Sequence, residues 1–447
     1  MGVHYVDFTP KLLEAEAQFS TLSLTGDVPG PQYEDFETVF KRCSEWLYRQ
    51  KNIQPLHCEI VELIGVYQVE SSLTEAASHD KGIFSKGIPS YLKVIRVWYK
   101  RLDSWQPLET STDRTVLKYL NVMPARLEST PRAFGPKFQT LSDAIESLNR
   151  RLVENPSIIK GNILSIQTCL CRFSTKHCSV DPDRTFWLVT NTEDMHVSYF
   201  FRIFYIKSKV PQHHYRLGFH DFTPQCEWKN RRRRDQLGES FTILVKNASQ
   251  WLSENTHITV VNCDSVIHHG FFRCARDTPG MESRALDNPH FRSTYWGLLD
   301  YVRILRVYYL QTLTPPGEEV ASSSQKCLLS KVFHVHPAIP SDSIRFAGVT
   351  AQVPLNHDQL VHKINDWIQQ NGIEVCGVET VSVQSNLTKV SLSVDDTVFE
   401  AANKGPVFTI YGIRLYFTEP SDSATKQVDV NPVPRTVRLD EDSCAIL

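Results

Sequence analysis

The feature that most constrains this chain is a passage it writes four times. Phe36, Val39, Phe40, Cys43, Trp46 and Leu47 fall at helical spacing and make one apolar stripe. An apolar strand follows from Ile53 through Glu59 and Val61. After a polar stretch comes a closing strand, Ile95-Arg96-Val97-Trp98-Tyr99. The same order returns with Leu141, Ile145, Leu148 and Leu152 ahead of strands at 158–170 and 199–205. It returns again with Phe241, Leu244, Val245, Ala248, Trp251 and Leu252 ahead of 258–266 and 304–309. The last copy has Leu360, Val361, Ile364, Trp367 and Ile368 ahead of 373–383 and 413–417. A short strand opens each copy, and Asp7-Phe8-Thr9-Pro10 reappears as Asp221-Phe222-Thr223-Pro224.

Trp46, Arg151, Trp251 and Trp367 mark the same place in each copy, 105, 100 and 116 residues apart. A period of about 100 exceeds the roughly 20–50 residues of solenoid units and suits a small domain with its own core. The expected fold class is α+β. It comprises four tandem related modules of about 100 residues, each a small, mostly antiparallel sheet covered on one face by one main helix. The boundaries expected are 1–104, 114–209 (the divergent copy, with Arg151 for Trp), 215–312 and 329–418, with a disordered tail at 419–447. Short linkers near 103–113, 207–214 and 312–325 predict modules packed on one another.

Hydrophobic residues make up 41% of the 447 and charged residues 22%, the make-up of globular protein. A net charge of -2 gives no electrostatic case for a nucleic-acid partner. No apolar run approaches the roughly 20 residues of a membrane span, and the N-terminal residues lack a signal-peptide core. The 11 cysteines are scattered and odd in number, as expected of reduced thiols in the cytosol.

Strand alternation places Arg96 with Trp98, Arg202 with Phe204, Arg306 with Tyr308 and Arg414 with Tyr416. An arginine in such apolar sequence needs a partner if buried. Six residues on from Ile53, Ile258 and Ile373 stand Glu59, Asp264 and Glu379; counting from Ile159 in the second copy reaches Ser165. The expected pairs are Arg96 with Glu59, Arg306 with Asp264, and Arg414 with Glu379. Two roles stay open for them. They are structural ion pairs that fix register, or the arginines line an anion pocket between repeats.

Cys169-x-Cys171 with His177-Cys178 lacks the second ligand pair of a structural zinc site, so neither metal nor cofactor is expected. His268-His269, His213-His214 and His334-x-His336 have no acid or nucleophile at motif spacing, and no Gly-x-Ser-x-Gly, Walker or dinucleotide fingerprint occurs. No catalytic residues are assigned and no enzyme is expected. Arg231, Arg232, Arg233 and Arg234 form a basic patch, either a solvated face or a contact for an anionic surface.

The polar, proline-bearing tail closes with Cys444-Ala445-Ile446-Leu447. This resembles the CaaX box of prenylated proteins, with the leucine that points to geranylgeranyl. The resemblance implies a thioether lipid on Cys444, laid by a eukaryotic protein geranylgeranyltransferase. It further implies removal of Ala445, Ile446 and Leu447 and methylation of the Cys444 carboxyl. Arg435 and Arg438 are offset by Asp440, Glu441 and Asp442, and a single chain gives only reversible anchoring; the Arg231–Arg234 run could supply a second signal. The expectation is a non-enzymatic interaction or scaffold protein, peripheral on the cytosolic face of a membrane. An unknown protein partner would be recognised by the loops at 69–90 and 273–295. The alternative is a soluble small-ligand-binding protein or enzyme, with a pocket between repeats lined by the strand arginines.

Overall fold

A computed structural model describes residues 2–14, 32–67, 88–102, 115–127, 137–174, 180–188, 195–208, 215–228, 236–270, 290–293, 300–312, 328–334, 344–346, 349–351, 357–386, 398–400 and 407–418. The architecture is α+β, with four helices and mostly antiparallel sheets. The first sheet opens with β1 (Val3–Phe8). A small hairpin, β2 (Leu12–Glu14) with β3 (Gln32–Tyr33), leads to α1 (Phe36–Arg49). Then come β4 (Ile53–Tyr67) and β5 (Ile88–Arg101). The closing strand β5 lies between β1 and β4 and runs antiparallel to both.

The second sheet has β6 (Leu117–Val122), α2 (Leu141–Glu154), β7 (Gly161–Ser174), β8 (Phe186–Leu188) and β9 (Met195–Lys207). The third has β10 (Tyr215–Phe222), a hairpin of β11 (Cys226–Trp228) and β12 (Gln236–Gly238), α3 (Phe241–Glu254), β13 (Ile258–Gly270), β14 (His290–Ser293) and β15 (Asp300–Thr312). The fourth has β16 (Leu328–His334), a hairpin of β17 (Ile344–Phe346) and β18 (Val349–Ala351), α4 (His357–Asn371), β19 (Glu374–Asn386), β20 (Val398–Glu400) and β21 (Val407–Thr418). The spatial order first–closing–middle recurs as β6-β9-β7, β10-β15-β13 and β16-β21-β19.

Each middle strand carries one extra residue at the same place. Leu56, Leu164, Val261 and Cys376 are the residues skipped in the pairing of β4, β7, β13 and β19 with their closing strands. A bulge of this kind bends a strand and increases its twist. The strand expected from Ile158 starts instead at Gly161, because Pro156–Ile158 forms a 3-10 turn. Gly161 sits at φ +148°, where an added Cβ would lie 1.8 Å from the Ile206 carbonyl oxygen, so only glycine fits there.

The helices bury the stripes their spacing predicts: Phe36, Val39, Phe40, Cys43 and Leu47 on α1, for example. Asp35 and Thr140 cap α1 and α2 by accepting from the Thr38 and Asp143 backbone N–H. Each helix also touches the first strand of the next sheet: α1 meets β6, α2 meets β10, α3 meets β16 and α4 meets β1. The four larger cores are therefore shared. Phe36, Phe40 and Leu47 pack with Leu117, Cys169, Phe200 and Phe204, and Leu360, Ile364 and Ile368 pack with Val3 and Trp98.

The expectation that a helix covers one face of each sheet is thus corrected. Phe200 and Phe204 enter the core shared with α1, while Tyr199, Phe201 and Ile203 on the other face enter the core under α2. A sheet buried on both faces has near-continuous apolar strands, which accounts for the composition of β9. Short strands tie neighbours further, since β8 extends the first sheet through β5, β14 the second through β9, and β20 the third through β15.

Candidate functional site

The middle strands meet one another in a closed circuit: β4 with β7, β7 with β13, β13 with β19, and β19 with β4. They are joined by side chains that satisfy a neighbour's free strand edge. Ser165 bonds both the Cys58 N–H (3.2 Å) and the Cys58 carbonyl (2.7 Å). Asn262 does the same for Ile166, at 2.9 and 3.0 Å. Two residues further along each strand, Gln167 accepts from the Ile60 N–H at 2.6 Å and Asp264 from Thr168 at 3.3 Å. Glu379 accepts from Ser265 at 2.7 Å and Glu59 from Thr380 at 2.9 Å. These four groups occupy one equivalent position, each opposite its strand arginine in register. The residue facing Arg202 is therefore Gln167 rather than Ser165. Counting from Ile159 fails because the second middle strand starts after the 3-10 turn.

The arginines have a second set of partners. Arg96 donates from Nε and Nη2 to the two carboxylate oxygens of Asp7, both at 2.7 Å. Arg306 does the same with Asp221, both at 2.6 Å. Asp7 and Asp221 are the acids of the repeated Asp-Phe-Thr-Pro passage, directly across the sheet. The Nη1 atoms of Arg96 and Arg306 then reach the hydroxyls of Thr380 and Thr168 on the preceding middle strand, each at 2.9 Å. For these two arginines the paired-acid expectation needs revising. Their bidentate acid comes from the first strand, while Glu59 and Asp264 accept from the neighbouring strand. In the fourth sheet Val332 takes the aspartate's place, and Arg414 donates to Glu379 at 2.8 Å. In the second sheet Arg202 bonds Asn121 at 2.6 Å and the Pro182 carbonyl and Asp183 at 2.9 Å.

Enclosure shapes the electrostatics. Burial raises the Glu59 carboxyl, against the pull of Arg96 and the Thr380 donors. Burial, with the nearby Glu379 charge, raises Asp264 well above the ordinary carboxylate range. Burial opposes the charge of Arg306, but the Asp221 carboxylate outweighs it and the guanidinium rises. Glu59 also accepts from Trp98 Nε1 at 2.8 Å, and Glu379 from the Tyr416 hydroxyl at 3.0 Å. Such groups are spent on neighbouring strands, so this cluster acts chemically as a lock between sheets.

Cys169 and Cys171 lie buried on one strand face, and Cys171 Sγ donates to the Asp181 carbonyl at 3.0 Å. Among the described residues no three candidate ligands gather around a metal position. His268 is buried beneath Tyr199. Cys444, Ala445, Ile446 and Leu447, the patch Arg231–Arg234, His177, Cys178, His213, His214 and His336 lie outside the described residues. No helix among the described residues is long and apolar enough to cross a membrane. No family model, curated protein or solved structure matches the chain.

Sequence reasoning missed the inter-sheet role of Gln167, Asp264, Glu379 and Glu59. It also missed that Asp7 and Asp221 hold arginines. The repeated Asp-Phe-Thr-Pro passage was the available signal for the second point.

Proposed function

We propose that the chain is a non-enzymatic scaffold of four related α+β modules, tethered to the cytosolic face of a membrane by geranylgeranyl on Cys444. The observation that carries the tether is the sequence Cys444-Ala445-Ile446-Leu447 after a long polar stretch, which resembles a prenylation box when it ends a chain. Support for a scaffold comes from the polar cluster at the strand circuit, whose carboxylates accept from neighbouring strands. The recurring strand order, the recurring bulge and the recurring arginine support duplication of one module. With one lipid and acidic flanking residues, attachment is reversible. The partner protein is recognised by the loops between middle and closing strands.

The test is membrane fractionation of wild type and Cys444→Ser in eukaryotic cells, with intact mass of each. A geranylgeranyl mass on sedimenting wild type, lost in a soluble mutant, is the expected result. An unmodified wild type ending at Leu447 overturns the tether.

A further inference from the structure

Where the first and second sheets meet, three buried donors lie together. Lys93 is 3% exposed, and Ser198 and Arg202 are 0% exposed. Lys93 shares a face of β5 with Ile95 and Val97, and Ser198 and Arg202 share a face of β9 with Phe200. Ile95, Val97 and Phe200 belong to one core. The Phe200 ring lies beside both cations, 5.8 Å from Lys93 Nζ and 5.4 Å from Arg202 Cζ to its centroid. Lys93 Nζ, Ser198 Oγ and Arg202 Nη1 have no hydrogen-bond partner among the described residues. Buried donors of this kind are costly unless something accepts from them.

The charge count points the same way. Asp183 balances Arg202. Glu62 is taken by both terminal nitrogens of Arg172, one of them at 2.8 Å. Lys93 has only the Trp187 ring, 4.4 Å from its Nζ, as a stabilising neighbour. The thiols alongside supply no negative charge, because burial pushes Cys169 up to about 11 and raises Cys171 as well. One positive charge and three unspent donors therefore converge in this seam.

We propose that the seam between the first and second sheets binds one small, singly charged anion, a carboxylate or an oxyanion of similar size. Lys93 Nζ, Ser198 Oγ and Arg202 Nη1 donate to it beside the Phe200 ring. The anion supplies the counter-charge that the seam lacks, so it binds the folded chain only and raises its stability by mass action. The inference is independent of the lipid, and it makes one junction of the scaffold responsive to a metabolite-sized ligand.

The experiment is thermal unfolding and calorimetric titration of the full chain. Sodium gluconate, too bulky for a buried seam, is exchanged for sodium formate or sodium nitrate at fixed ionic strength. Wild type is expected to show a saturable rise in Tm and one binding site per chain. Lys93→Met, which keeps the length and removes the charge, is expected to lose both. Ser198→Ala, expected to fold in either case, weakens formate binding about tenfold by removing one donor. A wild type with no saturable response to either anion overturns the proposal, and the buried amine is then simply neutral. A Lys93→Met or Ser198→Ala protein that binds formate as wild type does overturns it equally.

Discussion

The first and third sheets solve the buried-arginine problem differently from the second and fourth. In the first and third, an aspartate on the opening strand holds the arginine with two hydrogen bonds. The middle-strand acid is then available for the neighbouring strand edge. In the fourth, Val332 stands in that place, and Glu379 serves Arg414, Tyr416 and the Ser265 N–H together. In the second, Asn121 replaces the aspartate, Gln167 replaces the acid, and Asp183 supplies the charge from the loop after β7. One architectural position is conserved in place and varied in chemistry. What the circuit of strands requires is an acceptor aimed at the next strand edge, whether Glu, Gln or Asp.

The largest expected effect tests this contrast directly. Arg306→Leu leaves Asp221 and Asp264 facing each other without a cation and should cost about 3–5 kcal/mol in urea unfolding. Arg202→Leu should cost less, about 1–3 kcal/mol, because Asp183 is 36% exposed and can turn to water. Equal losses would remove the distinction between the two kinds of sheet.

Next comes pH. His57 occupies the position that Ser165 and Asn262 fill in the second and third middle strands, but burial lowers its pKa to about 4. The folded state therefore binds this proton less readily than the unfolded chain, whose value is near 6.5. Stability from this group is complete above pH 6.5 and declines as pH falls toward 4, by about 3 kcal/mol in all. Unfolding midpoints between pH 7 and 4 should show this slope in wild type and lose it in His57→Gln.

A smaller effect compares two seams. Asn149 bonds both the N–H and the carbonyl of Leu217, and Asn365 makes the same pair with Val3. Asn149→Ala and Asn365→Ala should each cost about 1–3 kcal/mol. Only Asn365→Ala should speed hydrogen exchange at β1, since no chain segment joins α4 to β1. The smallest contrast lies in helix caps. Thr140→Ala should cost about 1 kcal/mol, and Ser240→Ala only a few tenths, because Ser240 makes no side-chain cap bond.

The sequence by itself determined the α+β class, the four helices with their buried stripes, and a strand order that returns about every 100 residues. These are local matters: periodicity, a cap before the stripe and an alternating strand are written in adjacent residues. It also singled out the four arginines and the acids that stand opposite them. Only the tertiary structure decided where the partners go. The bulges at Leu56, Leu164, Val261 and Cys376 bend each middle strand, and the edge of one strand meets the side chains of another about 100 residues away. That is why Asp7 rather than Glu59 gives Arg96 its bidentate acid, why Glu59 reaches Thr380 across 321 residues, and why Gln167 stands where sequence spacing pointed to Ser165. Spacing along a chain fixes which residues share a face; which edge that face closes is settled only when the first and last sheets come together.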